Sequence, residues 1–492
     1  MGLTMKICVL PLDSRPCSYD FIEILSKIGG IECILPPMDI MDYFRKPSDF
    51  SKISNWLSTV DCDTLILPID QLLYGGLLAS RQSGITLQEA LERLKTLEDI
   101  KRENPNLRIF ASNVLMRTTV STLSLESTVW WDAVSRYAKL THLIALDEKD
   151  SKLKELLKEV EAEIPTNVLG EFLAVRERNH EINKACIELV ASEIIDFLLI
   201  LQEDCTEFGM HRAEQKRLLE LIEKHNLQNK VVLHNGTDEA TTELLARAVS
   251  PTSAPVQIKW LGKNPEFIAL FEDRPFADNL KSHLNIANLR EDEVSDVILF
   301  IYLPKSGQKD FCTIDAEIPA SGYTAEELMS FVKSVADAVA MGKKCYLLDV
   351  AYANGGDPEL LKTLAKFIDI SELYGYSAWN TASNATGTIL SQIVLSSGEN
   401  SEKNKVFTYS RILDDVIYQA IIRKRLNQKL IEKGLDPYNI SDLEVAKALL
   451  QAECEAVKPL VEQLMPDVIG NFEFSLRWPR TFEIEAFCKP NL

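Results

Sequence analysis

Short apolar runs, each followed by a polar or glycine-containing loop and then a helical period, recur along most of the chain. They are KICVLPL (6–12), ECILPP (32–37), TLILPI (64–69), RIFASNVL (108–115), THLIAL (141–146), FLLILQ (197–202), KVVLHN (230–235), VQIKWL (256–261), VILFIYL (297–303), KCYLLDV (344–350) and LYGYSA (373–378). Near-continuous rather than alternating apolar residues mark strands buried on both faces. Between them, stretches such as TLQEALERLKTLEDIKREN (86–104) and EQKRLLELIEKHN (214–226) repeat their apolar residues at helical spacing. The alternation predicts an α/β protein with parallel sheets and helices on both faces.

About eleven strands are too many for one plain eight-stranded barrel. Two doubly wound lobes are expected, with a decorated β/α barrel as the alternative. The linker-like stretch SPTSAP (250–255) places an N-terminal lobe at 1–250 and a second lobe at 256–400. Residues 401–492 change character: 401–465 read as helical, and FEFSLRWPRTFEIEAF (472–487) reads as a closing β hairpin.

Composition narrows the partners. The chain has 492 residues, with 73 acidic against 53 basic and a formal charge of −20. That charge repels nucleic acid and anionic membrane surfaces, and the most basic stretch, IIRKRLNQK (421–429), reads as one solvated helix face. No window reaches the roughly 18 apolar residues of a membrane span, and the first apolar run is too short for a signal-peptide core. Ten scattered Cys without a C-x-x-C pair read as reduced thiols, so a cytoplasmic location is expected. The sequence permits a homo-oligomer.

In open parallel sheets, ligands bind past the carboxyl ends of the strands, so the segments after each strand carry the candidate chemistry. They hold Asp13 and Arg15; Asp70, Tyr74 and Arg81; Asn113 and Arg117; Glu203, Asp204 and His211; Asn235, Asp238 and Glu239; Asp349 and Asn354; and Trp379, Asn380 and Asn384. Bland readings stand beside the sharp ones. Asp238 is a candidate helix cap, Asp357 a cap before Pro358, and Arg15 a structural brace for Asp13. Glu203–Asp204 has the weakest bland reading, because adjacent acids after an apolar strand are costly without a partner, a metal or a substrate.

Paired carboxylates fit glycoside hydrolysis, and they also fit coordination of a hard divalent ion. Amides, carboxylates and Arg bond sugar hydroxyls, while Tyr74, Trp131 and Trp379 offer ring faces; any one of these aromatics also reads as core. YGYSAWNTASNATGT (374–388) has no charged side chain and reads as a neutral pocket wall. The phosphate-loop, dinucleotide-binding and G-x-S-x-G patterns are absent, so no cofactor is implied. Six His without metal-ligand spacing give no metal site.

PLDSRP, QEDCTEFGMHRAEQ, NGTDEA and YSAWNTASNATGT together resemble the bacterial family known as domain of unknown function 4127. The resemblance runs from Asp13 to the helical tail with Arg411, Asp414 and Tyr418. This chain has QED where a plainer acidic pair is usual, and lacks the Gly that often precedes the Trp. The resemblance implies a cytoplasmic protein whose genes often neighbour those for amino-sugar and cell-wall-sugar uptake and breakdown. The expected function is a glycoside hydrolase for small amino-sugar glycosides. Asp204 with Asp238 or Glu239 would form the catalytic pair beside Glu203. Asp13, Arg15, Asp70, Tyr74, Arg81, Asn113, Arg117, His211, Asn235, Asn354, Trp379, Asn380 and Asn384 would bind a small-molecule carbohydrate. A sugar-binding or sensing protein, and a metal-dependent lyase, isomerase or phosphohydrolase using the same acids, are the alternatives.

Overall fold

A computed structural model describes residues 5–125, 127–250, 252–312, 322–468 and 470–489. They form two compact units, the first built mainly from residues 31–244 with the N-terminal segment to Glu23 and with Phe271–Asp273. The second comprises Ile24–Gly30, Leu245–Leu270 and the chain from Arg274 onward.

The first unit contains six parallel strands: β1 (Lys6–Val9), β2 (Glu32–Ile34), β3 (Thr64–Pro68), β4 (Arg108–Leu115), β5 (Phe197–Gln202) and β6 (Val231–Asn235). Their order is β2-β1-β3-β4-β5-β6. The chain therefore turns one way after β1 and the other way from β3 onward, which makes a switch point between β1 and β3. Cys8, Leu65, Ile109, Leu198 and Ile200 face one core, shared with Ile53, Leu94, Cys186 and Leu218 from surrounding helices. The residues between them, such as Ile7, Val9, Ile66 and Leu199, are fully buried as well. Burial on both faces is why these runs carry no alternation.

The run 141–146 is not a strand but the end of a helix, Thr128–Leu146. A six-residue apolar run does not by itself separate the two states. Here Val134, Ala138 and Leu140 are buried positions of that helix. Val134 and Leu140 pack with Val160 and Phe172 of the helices Ser151–Glu163 and Thr166–Ala191. This helical segment lies between β4 and β5 in the chain.

The second unit contains β7 (Ala254–Leu261), β8 (Leu289–Glu291), β9 (Val297–Tyr302), β11 (Lys344–Asp349) and β13 (Gly375–Ser377), all parallel, in the order β13-β11-β9-β7-β8. Counted along the chain, this repeats the winding of the first five strands of the other sheet. A short pair, β10 (Lys309–Asp310) with β12 (Tyr352–Ala353), lies apart from it. One sheet face packs on the helices Phe276–Ile286 and Ala382–Leu395. The other packs on Ala325–Ala340, on Pro358–Leu364 and on the C-terminal helices. Residues 402–464 thus bury Ile412, Leu426, Leu450 and Val461 in the same core as β9 and β11. The antiparallel pair β14 (Phe472–Ser475) and β15 (Glu485–Cys488) follows them. Among the described residues both large sheets have free outer strands, so the α/β architecture with open parallel sheets is the observed one and the barrel alternative is not.

Candidate functional site

The carboxyl edge of the first sheet gathers acids and guanidinium groups from six strand ends. After β1, the Asp13 carboxylate accepts from the backbone N–H and the Nε of Arg15, at 3.1 and 2.9 Å. The same guanidinium reaches the loop after β6 and grips both oxygens of Asp238, at 2.6 and 3.1 Å. All three side chains are buried. Arg15 is thus the brace expected for Asp13, and it also binds Asp238. Asp42, after β2, accepts from the Ser14 N–H at 2.9 Å. Burial and the neighbouring Asp13 push its carboxyl well above the ordinary range.

A second group forms around Glu203 and Asp204, directly after β5. Arg81 pairs with Glu203, and Arg117, after β4, pairs with Asp204. The Arg117 backbone N–H also donates to Glu203 at 3.3 Å. Arg81 additionally donates to Ser121 at 3.1 Å, while its Nε is buried without a partner among the described residues. Asp204 keeps 28% of its side chain exposed, so this group opens to solvent. Asp70, in the first turn after β3, accepts from the Val114 N–H at 2.9 Å. Burial raises its carboxyl to about 6, and the charge on Glu203 adds to the shift.

Glu239 accepts from the Thr237 N–H at 3.0 Å, and its other oxygen is buried without a hydrogen-bond partner among the described residues. Burial, reinforced by Glu243 and Asp238, raises its carboxyl well above the ordinary range. His211 opens the helix His211–Lys224, fully buried, with Nε2 3.2 Å from Asp273. Asn235 donates to the Cys205 Sγ at 3.6 Å.

Other residues expected at the site serve the interior. Tyr74 is buried beneath the Arg178 guanidinium, 4.3 Å from its ring centroid, so it presents no free ring face. Asn113 lies within β4 and donates to Asn183 of the helix Thr166–Ala191 at 3.1 Å. Asp357 caps its helix by accepting from the Glu359 N–H at 2.9 Å. An open groove lined by Glu177, His180, Lys184 and Arg217 lies on helix surfaces and includes none of the strand-end acids.

Asn354, Trp379, Asn380 and Asn384 belong to the second unit, at the carboxyl ends of β12 and β13. Asn354 and Asn380 adopt left-handed backbone conformations (φ of 61° and 67°), and the Asn354 N–H donates to the Asn380 carbonyl at 2.8 Å. The Asn354 side chain donates to Asp310 at 2.9 Å. Trp379 is buried against Phe482, with its Nε1 lacking a hydrogen-bond partner among the described residues. Asn384 sits inside the helix Ala382–Leu395, where its N–H donates to the capping Thr381 hydroxyl. This stretch is therefore ordered strand, turn and helix.

Several partners escape sequence reasoning. Asp42 follows a strand end and was legible by that rule alone. Arg176, which grips both oxygens of Glu214 at 2.6 Å, lies within a long helix and gives no signal. Asp414 and Asp415 start a π-helical segment, Leu413–Ile422, a distortion frequent at functional sites. Arg411 pairs with both, and Asp415 also accepts from the Ala378 N–H at 2.7 Å. Adjacent acids in the apolar run RILDDVIY were the available cue, the same one that exposed Glu203–Asp204.

A family model matches residues 7–486, nearly the whole chain. The chain belongs to the family described as "Protein of unknown function (DUF4127)". No curated protein matches it. Among the described residues of this DUF4127 member, no helix is long and apolar enough to cross a membrane.

Proposed function

We propose that this DUF4127 protein is a cytoplasmic carbohydrate-active hydrolase that cleaves small glycosides, amino-sugar glycosides foremost, at the carboxyl edge of its first sheet. The supporting observation is the contrast between two acids that follow neighbouring strands. Asp204, after β5, is partly exposed and paired with Arg117. Glu239, after β6, is buried, with its carboxyl raised well above the ordinary range and one oxygen unpartnered among the described residues. Glycoside cleavage needs this division: a carboxylic acid protonates the leaving oxygen, while a carboxylate acts as base or nucleophile on the sugar carbon. In this reading Glu239 gives its proton to the departing oxygen as the glycosidic C–O bond breaks. Water supplies the new C–O bond, either directly, with Asp204 taking its proton, or after an Asp204 ester forms. The buried Nε of Arg81, unpartnered among the described residues, is a donor for a sugar hydroxyl.

The test is a panel of aryl N-acetylamino-glycosides and muropeptide fragments incubated with the purified chain, with released sugar measured. Turnover that falls in both Asp204→Asn and Glu239→Gln supports the reading. Absence of turnover across the panel, or turnover indifferent to both substitutions, overturns it.

A further inference from the structure

Cys205, His211 and Asp273 come from three stretches of the first unit: the loop after β5, the start of the helix His211–Lys224, and the segment Phe271–Asp273. We infer that these three residues form a site for one zinc-class divalent cation, bound through the Cys205 sulfur, the His211 imidazole and the Asp273 carboxylate. The inference goes beyond the hydrolysis reading, which uses no metal.

Geometry carries it. One ligand atom from each residue lies within 4.8 Å of the other two, and all three residues are buried. Tetrahedral zinc, with bonds of about 2.0–2.3 Å, spaces its ligand atoms roughly 3.3–3.8 Å apart, so a small contraction closes the set. The backbone already ties two of the stretches together, because the Cys205 N–H donates to the Phe271 carbonyl at 3.0 Å.

The imidazole supplies the second observation. His211 is 0% exposed, yet neither of its ring nitrogens makes a hydrogen bond among the described residues. Its Nε2 stands 3.2 Å from Oδ2 of Asp273 without hydrogen-bond alignment. A buried imidazole in that position has lost water without gaining an aligned hydrogen bond, a cost that a shared cation removes. A neutral imidazole has a lone pair to offer such a cation.

The surroundings resemble the outer shell of a metal centre. Gln215 donates to Asp273 at 2.7 Å and to Gln202 at 3.0 Å, and Asn235 donates to the Cys205 sulfur at 3.6 Å. Such bonds orient ligands and tune them. Arg212 opposes a cation, donating to the same Asp273 oxygen at 3.1 Å, but its side chain is 38% exposed and can withdraw into solvent. A sulfur, nitrogen and oxygen set selects zinc or cobalt over magnesium and calcium, which take oxygen ligands. Sequence spacing could not show this set, because Asp273 lies far along the chain from the other two.

The full chain, stripped with chelator, is titrated with cobalt(II) and separately grown with zinc for elemental analysis. The expected result is about one metal per chain with a thiolate-to-cobalt charge-transfer band in the near ultraviolet. Cys205→Ser should abolish the band, and the near-isosteric Asp273→Asn should weaken cobalt binding by about 100-fold while leaving the circular dichroism spectrum unchanged. Far less than stoichiometric metal, absence of the band in the wild-type chain, or binding unaltered by both substitutions overturns the site. These readouts need no substrate, so they stand or fall independently of glycoside turnover.

Discussion

Arg15 and Asp238 follow strands separated by three others, yet two hydrogen bonds of 2.6 and 3.1 Å join them. The loops after β1 and β6 therefore lean toward each other over the ends of β3, β4 and β5, and the guanidinium that links them also holds Asp13. Removing Arg15 takes a buried counter-charge away from two buried carboxylates. Arg15→Met should cost roughly 3–5 kcal/mol of stability in urea denaturation. Arg15→Lys should recover only part of this, because an ammonium cannot reproduce the bidentate fork. A melting curve unchanged by Arg15→Met would show that the clamp is not structural.

Asp70 gives the first unit a pH signature. Its carboxyl titrates at about 6 in the fold because it is buried, against about 3.9 in an unfolded chain. Between these values the folded state holds a proton that the unfolded state has released. Its contribution therefore makes stability fall as pH rises from about 4 to about 6, and level off above. Asp70→Asn removes that slope and should improve the variant relative to wild type by roughly 3 kcal/mol between pH 4 and pH 7. Chemical denaturation across that range checks it; parallel curves for the two proteins would contradict the assignment.

Both sheets were legible in the sequence because their strands are apolar on two faces and short. The run 141–146 imitated a strand because it is short and apolar, yet it ends a helix that starts thirteen residues earlier, at Thr128, and its last residue, Leu146, is exposed. Positions of the acids were legible for a related reason, since Asp13, Asp70, Glu203 and Asp238 each follow a strand. Their partners were not. Arg81 meets Glu203 and Arg15 meets Asp238 because of strand order, which apolar pattern does not encode. Asp273 and Arg176 lie outside every strand end, so the rule that found the acids passes them by.

Gly356 marks a close approach in the second unit. A Cβ there would collide with the Tyr376 hydroxyl and lie 3.0 Å from both Ala378 and Val416. That hydroxyl donates to Asp349 at 3.3 Å, and Asp349 also accepts from the Asp357 N–H at 2.6 Å. Gly356→Ala should therefore displace Tyr376 and cost about 1–3 kcal/mol, read as a lowered melting temperature. Tyr376→Phe added to it should restore part of the loss. A single variant as stable as wild type would refute the contact.

Asp204 and Glu239 permit a prediction that separates catalysis from folding. Burial raises the Glu239 carboxyl and so favours its protonated form, which Glu239→Gln matches in charge and shape. Asp204 is partly exposed, so Asp204→Asn leaves no deeply buried charge alone except where it frees Arg117. Both variants should keep a melting temperature close to wild type at pH 7. If the two acids perform glycoside cleavage, each variant should nevertheless lose about 100- to 10,000-fold in kcat. The pH profile adds a distinct mark. Wild-type kcat/KM should decline on the alkaline side as Glu239 loses its proton, and Glu239→Gln should remove that limb because an amide has no proton to lose there. An alkaline limb that survives Glu239→Gln would assign the acid role to another carboxyl, with Asp70 next in line because burial raises it too, to about 6.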